Sequence, residues 1–266
     1  MSKKTEPCIS LTDCHPYHRL LSYPEDNSEQ QAEYLQQLQQ LGVEALLAVG
    51  PAQLAGLPLL GVGYCGLVMA GIWQGRDVAI KLRRLSCQQA DLNEEARIQR
   101  QANLLHIGPQ LYAQQGDLLV MERLSGQPLA GWLQHLRAED ACELSSMLQR
   151  ILWQGFYLDE EGIDHGALRC AAEHVFIDGE RLTIIDFSHS STNRRPNNVT
   201  SLVSGLLWGT RLSQDIRRLL PLPERDALLP WLQEYKQHPE CSQFQALLSA
   251  IGLNEQDPYA FGDTKP

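Results

Sequence analysis

The stretch GVGYCGLV, residues 61–68, sets glycines at 61, 63 and 66 and a valine at 68. Without Cβ atoms, such a backbone can lie close over phosphate oxygens. Further on, VAIK ends in Lys81. Strand alternation sends Lys81 to the same face as Ala79, and an amine carried into a protein interior needs an anion. Phosphate oxygens would supply one, and Glu95 could hold the amine in place. The glycine pattern alone is weak. In a dinucleotide fold it must open a helix, whereas here it runs into the strand-forming LVMAGIW. No Gly-Lys-Ser/Thr follows, which excludes the Walker pattern.

A second group lies in GIDHGALRCAAEHVFIDG, residues 162–179. A helix stop, a His-Gly pair, an irregular run and a short strand give it the shape of a catalytic loop. The slot suited to a general base holds Ala167, and a methyl group cannot accept a proton. Asp164 and Glu173 are the nearest carboxylates. Asp164 is expected to point away or bind backbone, whereas Glu173 could reach a reacting centre. Asp186, in IIDFS, follows the next hairpin.

Those groups need elements to position them. Residues 1–30 are polar and without period, and read as a flexible arm. Leu35, Leu38, Leu41 and Leu46-Leu47 recur at helical intervals and predict a helix over 31–50. From residue 57 the pattern reads strand, glycine-rich turn, strand, turn at QGRD, strand. A helix follows with Leu92, Ala96, Ile98, Ala102 and Leu105 on one face, Asp91 as its cap and Gly108 as its stop. A hairpin turning at Gly116-Asp117 comes next, then a long helix with Leu144, Leu148, Ile151, Leu152 and Phe156 buried and Gly162 at its end. A second hairpin turns at Asp178-Gly179. Everything after residue 198 reads as helical. The sum is α+β, with a β-rich lobe over 31–125, a helical lobe over 126–266, and a crevice between them as the expected ligand site.

Composition narrows the partners. A net charge of −10 argues against nucleic acid and anionic membranes. No apolar run is long enough to span a bilayer, and MSKKTEPCISLTD lacks the apolar stretch of a secretory signal. The seven cysteines are scattered without a Cys-x-x-Cys pair, a reduced, cytoplasmic pattern. CISLTDCHPYH gathers Cys8, Cys14, His15 and His18, but at no spacing typical of zinc, so a polar arm is the better reading.

Taken in order, these motifs resemble those of protein kinases over residues 55–200: the glycine loop, VAIK, a helix with Glu95, LLVMERLSG as a hinge, a His-Gly loop, and IIDFS. The short span from Asp186 to the helix near Asn198, with no Ala-Pro-Glu, is similar to the atypical RIO-like lineage and to small prokaryotic predicted Ser/Thr kinases. Aminoglycoside-type small-molecule kinases share that truncated activation segment. The resemblance implies ATP with Mg²⁺ or Mn²⁺, held by Gly61, Gly63, Gly66, Val68, Ala79 and Lys81. Met121 would be the gatekeeper, with adenine on the backbone of Glu122 and Leu124. Lys81, Glu95, His165 and Asp186 would form the catalytic set, with Glu173 as a substitute carboxylate. Asp186 would bind metal, and His174 would stand where an Asn ligand is usual. The implied activity is phosphoryl transfer to a protein hydroxyl. The alternatives are a nucleotide-binding pseudokinase that scaffolds or regulates a protein partner, and a small-molecule kinase.

Overall fold

The computed structural model describes residues 6–13, 15–84, 87 and 92–259. Asp91 and Cys14, expected as a helix cap and a candidate ligand, lie outside them. The chain forms two compact units: the described residues of Met1–Arg100 with Pro109–Leu124, and those of Gln101–Gly108 with Ser125–Pro266. The architecture is α+β, with antiparallel strands dominating the first unit and helices the second.

The first unit runs β1 (Cys8–Ser10), a 3-10 turn at Pro16–Ser22, α1 (Ser28–Gln40), β2 (Val43–Leu47), β3 (Ala52–Leu54), β4 (Leu57–Leu59), β5 (Gly61–Val62), β6 (Gly66–Trp73), β7 (Arg76–Arg83), α2 (Leu92–Leu104), β8 (Leu111–Gln115) and β9 (Leu118–Glu122). Its main sheet has the order β1-β2-β6-β7-β9-β8, with β5 hairpinned onto β6. Period-2 alternation gives the sheet two different faces. Leu67, Met69, Val78, Ile80, Leu82, Leu118 and Val120 share one buried cluster with Tyr34 and Leu38 of α1. On the opposite face, Leu119 packs with Leu92 and Ala96 of α2, and Met121 joins them. The register sets Val68 beside Lys81, Lys81 beside Leu119, and Ala79 beside Met121. The chemically interesting residues therefore share the face that α2 covers.

Two expectations about the first unit are corrected. The helix ends before Leu46-Leu47, because Gly42 turns the chain with φ +81° and Val43–Leu47 continues as a strand. Gly is a helix stop, and the five residues after it, with Val43, Leu46 and Leu47 buried, are long enough for a strand paired on the sheet. The described part of the arm, from Glu6 onward, is not loose either. β1 pairs with β2, and Tyr17, Leu20 and Leu21 are buried in the cluster beneath the sheet. The strand has three residues and the 3-10 segment seven, so Tyr17, Leu20 and Leu21 give only one i, i+3, i+4 repeat among polar neighbours. His15 Nδ1 accepts from Tyr17 N at 3.1 Å and His18 Nε2 lies 3.1 Å from Ser10 O. The histidines here are structural.

A third correction concerns the cysteines. Cys65 and Cys87 form a disulfide, with Cα atoms 5.1 Å apart. Cys8, Cys142, Cys170 and Cys241 are free and exposed. The bonded pair are 22 residues apart in sequence, joined only because the β5-β6 turn folds onto the segment after β7.

The second unit contains β10 (Gln127–Pro128), α3 (Leu129–Leu133), α4 (Ala141–Glu160), α5 (Ala171–His174), β11 (Val175–Asp178), β12 (Arg181–Ile184), α6 (Asn198–Leu207), α7 (Arg211–Arg217), α8 (Arg225–Gln237) and α9 (Cys241–Ile251). The predicted stripe of α4 is buried, and Phe156 stacks on Phe244 of α9 with centroids 4.6 Å apart. Gly162 follows α4 with φ +76°. The chain from Asp186 reaches α6 through one 3-10 turn, Phe187–His189. No helix among the described residues is long and apolar enough to cross a membrane.

Candidate functional site

In the first unit Lys81 and Glu95 come together. Lys81 is central in β7 and Glu95 lies in the first turn of α2. Nζ and Oε1 are 2.6 Å apart, and both side chains are buried. A charge in that setting must be paired, because desolvation of a lone ion costs several kcal/mol or more. A Cβ on Gly66 would lie 3.2 Å from Lys81 Cε and 3.4 Å from the Leu82 carbonyl oxygen. Glycine at 66 thus leaves the space the lysine stem uses. None of the three loop glycines has positive φ, so room is the reason for Gly66, not left-handed backbone.

The loop itself is a tight hairpin. Gly63 N donates to Gly66 O at 2.8 Å, leaving Tyr64 and Cys65 at the tip, with Tyr64 88% exposed. Arg84 N donates to Cys65 O at 2.8 Å, and Arg84 Nη1 to Gly63 O at 3.2 Å. With the Cys65–Cys87 disulfide added, the tip is held at several points.

Ala79 is buried beside Met121, and Val68 is half-buried beside Lys81. Gln99 Nε2 donates to Pro109 O at 2.8 Å and lies 3.8 Å from Met121 Sδ, which holds the Met121 side chain in place. Glu122 N donates to Gln110 O at 2.8 Å. A ligand contact to the Glu122 backbone would therefore use its carbonyl. Leu124 closes the first unit.

The second unit carries the loop residues. His165 is fully buried; its Nε2 lies 3.0 Å from Ile185 O, and its ring packs on Phe187 with centroids 5.1 Å apart. Burial, with His174 nearby as the second cause, lowers its pKa to about 4. The ring is thus neutral near pH 7 and donates from Nε2 to the carbonyl. The ring thereby ties the His-Gly loop to the strand end before Asp186. Asp186 adopts φ +68°, ψ 79°, left-handed space that a non-glycine residue enters at a cost of about 1–2 kcal/mol. Strain of this kind concentrates at functional positions.

Asp164 accepts from the Arg194 guanidinium and from Asn197 N at 3.3 Å, and its backbone bridges to Ser191. Glu173 sits exposed on α5. His174, half-buried at the end of α5, accepts through its carbonyl from Ile185 N at 2.9 Å.

Sequence reasoning missed the hub beneath this loop. Asn198, buried at the start of α6, accepts from His165 N at 2.9 Å and donates to Ile163 O at 2.6 Å and Asp159 Oδ1 at 2.8 Å. Asp159 also accepts from Asn198 N, Val199 N and Tyr235 Oη. Burial pushes its carboxyl up despite those donors. The one signal available was Asn-Asn before an apolar helix, and it gave no hint of the loop that Asn198 holds. A cleft of about 260 Å³ lined by Arg169, Ser201, Leu232 and Lys236 includes none of the expected site residues.

Asp186 suits a hard divalent cation that takes its other oxygens from phosphates and water. His174 fits less well, since its Nδ1 is buried and imidazole is a poor partner for Mg²⁺. Among the described residues no three His, Cys, Asp or Glu side chains are grouped as a metal cage. Such a cation would be one brought with phosphate.

No protein-family model matches the chain, and no curated protein matches it in sequence. Among solved structures it is similar to the Rio2 kinase-ADP/Mg²⁺-phosphoaspartate complex from Chaetomium thermophilum. That likeness has a TM-score of 0.48 and 18% identity, and covers 87% of this chain and 72% of the other. A likeness of that size leaves the chemistry to be argued from this chain's own side chains.

Proposed function

We propose that this protein binds ATP with Mg²⁺ or Mn²⁺ in a kinase-like manner, and that the nucleotide-bound state, rather than rapid phosphoryl transfer, is its output. The observation that carries this reading is the buried Lys81–Glu95 pair. A buried ion pair adds little stability over apolar side chains of equal size, so its presence calls for another reason. An ammonium held rigid by a carboxylate and covered by a glycine hairpin suits phosphate oxygens. Val68, Ala79 and Met121 on the same sheet face suit an adenine ring, with Glu122 and Leu124 as backbone contacts. Asp186 would hold the metal, which when bound neutralises phosphate charge.

The weakness of transfer follows from the loop. Ala167 has no proton acceptor, Asp164 is engaged by Arg194, and Glu173 is exposed. Loss of general-base help costs ~10²–10⁴-fold. Phosphoryl transfer depends mostly on positioning and charge, so a slow Ser/Thr-type or small-molecule kinase is the second reading. The strained backbone at Asp186 favours it. A protein partner is the expected target of the nucleotide-bound state and of a Ser/Thr-type kinase, and the exposed free thiols suit a cytoplasmic setting.

The test is ATP binding by calorimetry together with Mg²⁺- and Mn²⁺-dependent ADP production, comparing wild type with Asp186→Ala. Metal-dependent binding with ADP production equal in the two proteins is the expected result. Turnover that vanishes in Asp186→Ala would shift the conclusion to the slow enzyme. Failure of ATP to bind would overturn both.

A further inference from the structure

We infer that Cys65 and Cys87 are a reversible thiol–disulfide modification site that locks the glycine hairpin. Three observations carry it. First, Cys65 is one of the two residues at the hairpin tip, where a covalent tether acts on the loop directly.

Second, the partner is placed by contacts that do not need the disulfide. Cys87 N donates to Arg84 O at 2.9 Å, and Arg83 Nη1 donates to Cys87 O at 2.9 Å. Arg83 is itself fixed by Asp117, with Nε–Oδ1 at 2.8 Å. Arg84 N holds the Cys65 carbonyl at 2.8 Å. The resulting Cα separation of 5.1 Å lies inside the ~4.4–6.8 Å that a disulfide spans. The two thiols would thus remain neighbours after reduction, ready to pair again.

Third, Cys8, Cys142, Cys170 and Cys241 stay free and exposed. One bonded pair among exposed thiols is the pattern of a selective redox site rather than of a domain stapled for an oxidising compartment.

The chemistry balances as ordinary exchange with a dithiol reductant. One reductant thiolate attacks Sγ of Cys65, which is half-buried, while Cys87 is 5% exposed. The S–S bond breaks and Cys87 leaves as a thiolate that takes up a proton. The second reductant thiolate then attacks the mixed disulfide, forming the reductant's own disulfide and releasing Cys65. Two electrons enter the protein, and a disulfide oxidant reverses the sequence.

Locking has a consequence for the ligand. A hairpin tied at its tip cannot lift to admit or release what it covers, so the oxidised form exchanges nucleotide slowly. That consequence rests on the function proposed above, whereas the lock itself does not.

The test uses the full chain, oxidised, reduced with dithiothreitol, and re-oxidised with glutathione disulfide. Alkylation and mass spectrometry count thiols, hydrogen exchange follows residues 62–66, and a fluorescent ADP analogue reports release. The expected result is two thiols gained and then lost again, with hairpin amides exchanging about tenfold faster when reduced. ADP release should also be about tenfold faster. Cys65→Ser and Cys87→Ser should each behave as the reduced protein in either buffer. A hairpin whose exchange ignores redox state, or a pair that cannot re-form in the folded chain, overturns the lock. Equal ADP release from both forms overturns the link to nucleotide. A hairpin that responds in a protein binding no nucleotide leaves the lock standing and removes the proposed function.

Discussion

The glycine hairpin and lysine of the first unit and the His-Gly loop of the second depart differently from the pattern they resemble. In the first unit the groups suited to phosphate are present, paired and braced. In the second the loop is equally well ordered, through His165, Asn198 and Asp159, yet the side chain that would take a proton is a methyl. Holding a nucleotide needs fixed charge and shape, whereas transferring its phosphate also needs a group that changes protonation. The two requirements are separable because they are met by different residues.

Removing one charge should break the first half hardest. Lys81→Met leaves Glu95 buried and unpaired and should cost about 3–5 kcal/mol of stability. Adding Glu95→Leu should recover most of that while leaving ATP binding lost. Denaturant unfolding with calorimetry on both variants checks this, and if the double variant still binds ATP the role of Lys81 falls.

The second half should respond most to acid. His165 has a folded pKa of about 4 against an ordinary value near 6.5. Its depressed value means that the stability contribution is present above pH 6.5 and lost as pH falls through 4, because only the unfolded chain then takes up the proton. The loss is about 3 kcal/mol across that window. Unfolding curves at stepped pH should show the slope, and His165→Gln should flatten it.

Restoring the missing carboxylate sharpens the comparison. Ala167→Asp should raise ADP production by up to ~10²-fold if order alone was retained for the loop. No gain, with ATP still bound, would mean that the loop has lost its geometry as well as its base. The smallest change in stability is expected at Asp186. Asp186→Gly should relieve the left-handed backbone and raise stability by about 1 kcal/mol while abolishing metal-dependent ATP binding. Thermal unfolding and calorimetry together would show this trade.

Much of the fold was legible because it is local. The hairpins turning at Gln74-Gly75 and Gly116-Asp117, the buried stripe of α4 and the stop at Gly162 all announce themselves through period and turn chemistry. The sequence misled where elements were short. Leu46-Leu47 kept helical spacing by coincidence across Gly42, and Tyr17, Leu20 and Leu21 make only one i, i+3, i+4 repeat within a seven-residue 3-10 segment.

By itself the sequence determined which groups exist: a lysine in a strand, an acid in the next helix, an alanine in the base slot. It also determined the order in which strands and helices follow. Only the tertiary structure decided which of those groups meet. The Cys65–Cys87 bond, the grip of Asn198 on His165 and the engagement of Asp164 by Arg194 join residues 22, 33 and 30 positions apart. Such contacts form only after packing has met the entropy of closing those loops, and no period or turn signal encodes them.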